Sequence, residues 1–160
     1  MYRIGQSTDI HQLALNKKLI LGGISIPSDF GCVAHSDGDV LTHAITEAII
    51  GALGLNDLGY HFSDKDPVNK NRSSLEMLTI INDKMHSIGY EIVNIDSIII
   101  IEKPKLRPYI NDIRTSLAQT LNIDKSLVNV KATCAEKLGF IGEGKGIMAQ
   151  AIVMVRKDES

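Results

Sequence analysis

Tryptophan is absent from the sequence, and phenylalanine and tyrosine bring the aromatic share to only 4%. A core built from this chain must therefore be aliphatic, and a 44% hydrophobic content supplies the material. Cysteine is equally scarce. Cys32 and Cys134 make neither a disulfide framework nor a CxxC metal clasp, and two isolated thiols suit a reducing compartment. No basic segment followed by an apolar one stands near the first residues, so no secretory leader is expected. The longest uninterrupted aliphatic run, Ile98–Ile101, falls far short of the roughly 20 residues of a membrane span. Neither sign of charge prevails: 17 Lys and Arg face 19 Asp and Glu, for a net of -2. A nucleic-acid backbone would find no counterpart on such a surface. These absences predict a soluble, cytoplasmic protein with neither membrane nor nucleic acid as partner.

What is present suffices for one domain. The 160 residues show no repeat, linker or low-complexity segment. Residues 2–11, 18–21 and 24–26 read as short strands around Gly22 and Gly23, followed by an irregular loop over 28–36. Val40, Leu41, Ala44, Ile45, Ala48, Ile49, Ala52 and Leu53 recur at helical spacing, with Ser36 and Asp39 expected to cap the start. Residues 54–72 are polar and lack a period, a long loop of the kind that often carries function. A second helix is expected over 73–88, opened by a Ser73/Glu76 capping box and stopped by Gly89. Residues 90–102 form a β-branched strand, and Pro108 opens a third helix. A strand over 128–133, a glycine-rich loop over 139–146 and a last strand over 147–156 follow. The alternation predicts an α/β (α+β) fold, one domain over residues 1–160, its mixed sheet covered by about three helices on one face. No GxGxxG links a strand to a helix, which argues against a dinucleotide fold.

Three clusters carry chemistry. Asp9 and His11 stand two apart on a strand, so both point to one face. They either meet solvent near a strand end or hold a divalent ion. The run from Ala34 to His43 adds two histidines, two aspartates and a serine at a helix entry. Asp9, His11 and His43 could then supply three ligands with a fourth position open, the arrangement of a catalytic zinc. Glu47, one turn after His43, is either an orienting partner of that imidazole or a solvated helix residue. His61 and His86 read as surface residues. Residues 131–140 leave a strand for the glycine loop, where backbone N–H groups and the Thr133 hydroxyl could cradle phosphate and Glu136 could hold Mg²⁺. The alternative there is a strand end and a plain loop. Asp57, Asp64 and Asp66 either coat a solvated loop or meet sugar hydroxyls.

Together, IGQSTDIH, AHSDGDVLTHA, NDLGYHFSDKD, IIIEKPKL and NVKATCAEKLGF resemble, in order and spacing, the 2-C-methyl-D-erythritol 2,4-cyclodiphosphate synthase family over essentially the whole chain. The resemblance implies a phosphorus–oxygen lyase of the non-mevalonate isoprenoid pathway. Such an enzyme turns 4-diphosphocytidyl-2-C-methyl-D-erythritol 2-phosphate into the cyclic diphosphate and CMP. It also implies one zinc ion per subunit on Asp9, His11 and His43, and a second divalent cation, Mg²⁺ or Mn²⁺, on Glu136. His35 and Cys134 fall in the places of transition-state stabilisers. Asp9, Ile10, His11, His35, Ser36, Asp57, Leu58 and Gly59 fall on segments that meet the erythritol, phosphate and ribose parts of the substrate. Phe62, Ser63, Asp64, Lys65 and Asp66 match a loop that closes over the erythritol. Ile101, Glu102, Lys103, Pro104, Lys105, Leu106 and Arg107 match the segment that wraps the cytosine. Thr133, Cys134, Ala135 and Glu136 match the diphosphate cradle, with Phe140 and Glu143 as further substrate contacts. The implied assembly is a homotrimer, its sheets around a central channel and its active sites between subunits.

Several positions depart from the family pattern. Ser7 replaces the second glycine of G-x-G-x-D-x-H, where only a modest adjustment is expected. Cys134 and Ala135 replace threonines of the cradle, and a thiol is a weaker donor than a hydroxyl. Activity is expected to survive if the backbone N–H makes the essential contact. Thr8, Glu143 and Lys145 replace an aromatic, an arginine and a glutamate that line the channel. An isoprenoid diphosphate, bound in the channel by some members, is expected to bind weakly here. Two other functions stay open on the residues alone: a zinc-dependent phosphodiesterase giving a linear product, and a cytidine-nucleotide binding trimer with weakened catalysis.

Overall fold

Alternating inward and outward side chains place β1, Tyr2–Leu15, and β7, Gly146–Lys157, side by side in a five-stranded sheet. The computed structural model describes residues 1–157. The strand order is β4 (Phe30–Cys32), β1, β7, β5 (Tyr90–Ile100) and β6 (Val128–Thr133). Only β5 and β6 run parallel, so the sheet is mixed as expected. A separate hairpin joins β2, Leu19–Leu21, to β3, Ile24–Ile26.

Three long helices cover one face: α1 (Val40–Leu53), α3 (Ser74–Ser87) and α4 (Ile110–Leu121). Two four-residue helices, α2 (Leu58–His61) and α5 (Gly139–Gly142), lie where the sequence predicts loops. All eight periodic positions of α1 are buried, together with Thr42, His43, Thr46 and Ile50. The helix is thus sunk between the sheet and α3, and its apolar pattern runs nearly all round. Gly5 permits that close approach, because a Cβ there would stand 1.9 Å from the Ala48 carbonyl oxygen.

Among the described residues, no long helix packs on the other face of the sheet. Across it run the rows Gln6–Ile152–Asp96 and Ile10–Met148–Ile100. Ile4, Ile10 and Ile152 are 65%, 50% and 56% exposed.

Capping differs from expectation at two helices. Asp39, not Ser36, closes the start of α1. Its Oδ1 accepts from the backbone N–H of Thr42 and of Gly22, each at 3.0 Å. Its Oδ2 accepts from Gly23 N at 2.7 Å and Thr42 Oγ1 at 2.8 Å. One carboxylate thus fastens the β2–β3 hairpin to α1. At α3, Ser73 makes no side-chain cap, and Glu76 instead pairs with Arg72 at 2.7 Å. Strand β4 falls inside the expected irregular loop, because its partner Leu13–Leu15 extends β1 past the expected end.

Candidate active site

The pleat of β1 puts Asp9 and His11 on one side of the strand, and the first turn of α1 brings His43 to meet them. Asp9 Oδ2 lies 3.0 Å from His11 Nε2 and 3.3 Å from His43 Nδ1. The three ligand atoms lie within 4.8 Å of one another, and no other such group of three occurs among the described residues. The far nitrogen of each imidazole is engaged. His11 Nδ1 donates to the Gly38 carbonyl at 3.0 Å, which leaves Nε2 for the cluster. His43 Nε2 faces Ser74 Oγ at 2.8 Å and Ser36 Oγ at 3.2 Å, which leaves Nδ1. Ser74 in turn donates to Asp37 Oδ1. Two nitrogens and a carboxylate oxygen, oriented by outer hydrogen bonds, are a donor set that fits zinc.

Burial pushes the Asp9 carboxyl up, but the hydrogen bonds and charges of His11 and His43 outweigh it and hold it well below the usual carboxylate range. Burial pulls His11 down, while Asp9 and the neighbouring Cys32 raise it to about 10. In the metal-free protein His11 is therefore imidazolium at neutral pH, and a cation must displace that proton. Zinc affinity is expected to rise about tenfold per pH unit between about pH 6 and 8, with one proton released on binding. Chelator competition across that range, with calorimetry in buffers of different ionisation enthalpy, measures both. A flat affinity profile would contradict it. The metal-free pair also stabilises the fold over a defined window. The Asp9 part is lost as pH falls through its lowered value, and the His11 part as pH rises through about 10.

Around the cluster lies a cavity of about 480 Å³. Its walls are Asp9, His11, Val33, Ala34, His35, Ser36, His43, Leu58, Gly59, Phe62, Ser63, Asp64 and Lys65. His35 is a wall residue of this cavity, and its Nε2 is buried with no hydrogen-bond partner. The 35–37 loop is tied to the end of the 62–72 segment by Asn71 N donating to His35 O at 2.8 Å and Asp37 N to Arg72 O at 3.2 Å.

A second, larger cavity of about 1050 Å³ lies at the ends of β5 and β6. Ile101, Glu102, Pro104, Lys105, Leu106, Arg107, Thr133 and Cys134 line it, with Arg114 and Lys131 adding positive charge. Glu102 Oε1 accepts from Ala135 N at 2.6 Å and so links the 101–107 segment to the start of the glycine loop. Cys134 Sγ lies 3.4 Å from Glu136 Oε1. Glu136 and Lys137 both take left-handed backbone angles, φ 52° and 61°. Gly142 closes over Lys137, whose carbonyl carbon would lie 2.2 Å from any Cβ there.

Within one chain, then, the candidate residues divide between two cavities. Asp57, Asp66, Lys103, Ala135, Glu136, Phe140 and Glu143 line neither. Ile10 turns its side chain to the uncovered face, away from Asp9 and His11. Two expectations need correction. Glu47 neither orients His43 nor stands solvated: it accepts from Ser7 Oγ at 2.7 Å and Leu58 N at 3.2 Å. His61 is half-buried, its Nε2 2.7 Å from the Leu55 carbonyl. Ser74 and its tie to Asp37 escaped the sequence reading, since Ser74 lies 31 residues from His43 and no local spacing links them.

Known proteins match this chain throughout. The YgbB family model covers residues 2–156. The 2-C-methyl-D-erythritol 2,4-cyclodiphosphate synthase of Fusobacterium nucleatum is 51% identical, over 98% of each chain. Among solved structures, the Plasmodium falciparum IspF in complex with CDP superposes with a TM-score of 0.87 at 34% identity, over 99% of this chain and 97% of that one. The bifunctional IspDF of Campylobacter jejuni gives a TM-score of 0.95 at 40% identity, and this chain spans 43% of its length.

Proposed function

The chain belongs to the YgbB family, the 2-C-methyl-D-erythritol 2,4-cyclodiphosphate synthases, and on that premise we propose how its own residues carry the reaction. It is a lyase of non-mevalonate isoprenoid biosynthesis, converting 4-diphosphocytidyl-2-C-methyl-D-erythritol 2-phosphate to the cyclic diphosphate and CMP. The observation that carries the assignment of roles is the convergence of Asp9, His11, His43, His35 and Ser36 on one cavity.

The substrate brings its own nucleophile, the 2-phosphate, which attacks the β-phosphorus and expels CMP. The protein needs no nucleophile; it must fold the substrate into line and offset crowded negative charge. Asp9, His11 and His43 would hold zinc, and Glu136 would offer a carboxylate to Mg²⁺ or Mn²⁺. Bound there, the two ions would polarise the phosphoryl oxygens and offset charge on the departing CMP. His35, on the wall of the metal cavity, is the side chain assigned to stabilise phosphate charge in the transition state. Leu58 and Gly59, with Asp57 before them, meet the sugar, and residues 62–66 cover it. The basic cavity beside residues 101–107 takes the cytosine, and the backbone N–H groups of residues 133, 134 and 136 cradle the diphosphate. Glu102 fixes that cradle by its hold on Ala135 N. On this account Cys134 is tolerated, because its thiol faces Glu136 and the backbone supplies the contact.

Assembly completes the site. The uncovered sheet face carries Ile4, Ile10 and Ile152 in water-exposed positions, an apolar surface suited to burial between subunits. A homotrimer closed on that face would join the metal cavity of one subunit to the cytosine cavity of the next. Light scattering is expected to give a mass of three times 17.5 kDa, and a monomer mass would refute this assembly. In the channel of such a trimer, Glu143 and Lys145 neutralise each other at 2.7 Å, and Thr8 accepts from Gln150 at 3.2 Å. These three positions offer an isoprenoid diphosphate neither an unpaired cation nor an aromatic ring. Calorimetry with farnesyl diphosphate is expected to show weak binding or none, and tight stoichiometric binding would refute this.

The reaction itself is tested by ³¹P NMR of the substrate with zinc-loaded protein and Mg²⁺. Cyclic diphosphate and CMP are expected. A linear product would mark a phosphodiesterase instead, and unchanged substrate with zinc bound would mark a binding protein.

A further inference from the structure

Glu47 lies one turn beyond His43 on α1, yet its carboxylate is turned away from the metal ligands. One oxygen accepts from Ser7 Oγ at 2.7 Å and the other from Leu58 N at 3.2 Å. Ser7 is 5% exposed and stands on the inner face of β1, two residues before Asp9. Leu58 opens α2, and Leu58 and Gly59 are wall residues of the metal cavity. A single carboxylate therefore joins the strand that carries two metal ligands, the helix that carries the third, and the wall opposite them.

The wall needs such a tie. A four-residue helix does not hold itself in water, and the other bonds of α2 are local: Asp57 caps Tyr60 N at 2.8 Å, and His61 reaches Leu55. Leu58 N–H is one of the first-turn donors that no helical carbonyl can satisfy. Glu47 satisfies it from the body of the fold. Ser7 then fixes which way that carboxylate points, a contact that a glycine in its place could not make.

We propose that Glu47, oriented by Ser7, is a positioning residue that sets the Leu58–Gly59 wall against the metal cavity and so governs how tightly the cytidine diphosphate substrate is held. It touches neither the reacting atoms nor the metal ligands. The proposal rests on the assignment of residues 57–59 to the substrate, so its test includes a readout that needs no turnover.

The experiment compares wild type with E47A, E47Q and S7G, all zinc-loaded. E47A is expected to raise KM and the Kd for CDP by about 10- to 100-fold, with kcat and zinc affinity little changed. E47Q is expected to stay close to wild type, since its amide oxygen still accepts from Leu58 N and its NH₂ can donate to Ser7 Oγ. S7G falls between. Amide hydrogen exchange over residues 57–61 is expected to speed up in E47A and not in E47Q. Unchanged KM and CDP affinity in E47A would overturn the proposal, as would zinc affinity falling in step with KM. Should wild type neither turn over nor bind CDP, the functional reading fails, and hydrogen exchange alone decides the positioning role: equal exchange in E47A and wild type refutes it. If E47A does not fold, E47D shortens the reach to Leu58 N at constant charge and takes its place.

Discussion

His43→Ala is expected to lower turnover by at least about three orders of magnitude and to leave zinc bound more than about 100-fold more weakly. The argument is local. His43 Nδ1 lies 3.3 Å from Asp9 Oδ2, and without it the cluster keeps one imidazole and one carboxylate. Two ligands do not make a zinc site. The loss reaches further, because His43 Nε2 faces Ser74 and Ser36, and Ser74 also holds Asp37. Removing the imidazole takes the Ser36 contact from the loop that carries His35. Ser74→Ala separates the two effects: it leaves all three ligands and removes the outer contact together with the hydroxyl's bond to Asp37, so zinc weakens by about 10- to 100-fold. Zinc retained after dialysis, read beside ³¹P NMR of the substrate, measures both variants. If His43→Ala keeps stoichiometric zinc and near-normal turnover, the metal assignment is wrong. Unchanged circular dichroism guards against simple unfolding, which is not expected for a shortened side chain at a cavity wall.

The contrast between His43 and Ser74 also marks how far a sequence can be read. Asp9, His11 and His43 were legible because two come from the strand period and one from a short, dense motif at a helix entry. The long elements were legible for a similar reason. Eight positions of α1 repeat at helical spacing, and every one is buried. The mixed sheet with helices on one face follows from that order of elements. What escaped depends on partners distant in the chain. Ser74 reads as an ordinary helix-start serine until α3 packs beside α1 and brings it to His43. Glu47 reads as one more helical carboxylate, and its direction is set by a serine 40 residues earlier and an amide 11 residues later. Strand β4 has three residues and no period of its own; it exists because Leu13–Leu15 offer it an edge. Capping shows the same limit. Ser36 and Asp39 both suit an α1 cap by type; Asp39 serves because it directly precedes Val40, and the bonds it also accepts from Gly22 and Gly23 show in no local spacing.

Asp39 carries the largest expected effect on stability. Its side chain is 0% exposed and accepts four hydrogen bonds, two from Thr42 and one each from Gly22 and Gly23. Burial pushes its carboxyl up; the donors of Thr42 and Gly23 pull it back, and the nearby Asp37 charge adds to the rise. The charge itself is thus unfavourable in its setting, and the value of the residue lies in its acceptors. Asp39→Ala removes every acceptor and leaves the donors without a partner at a site too closed for easy hydration. Orphaned backbone donors and a lost helix cap together cost about 3–5 kcal/mol. For a chain of this length that is a fall in Tm of roughly 10 °C. Asp39→Asn keeps one acceptor oxygen and places an NH₂ against donors, so an intermediate loss is expected. The injury should also spread to the metal site. His43 N donates to Asp39 O at 3.0 Å, in the turn that Asp39 caps. Zinc should therefore rescue part of the lost Tm, because a ligand that binds only the folded form stabilises it. Thermal unfolding of wild type and both variants, with and without zinc, tests the whole chain of reasoning. A Tm for Asp39→Ala within about 2 °C of wild type would mean that the hairpin and helix are held by packing alone.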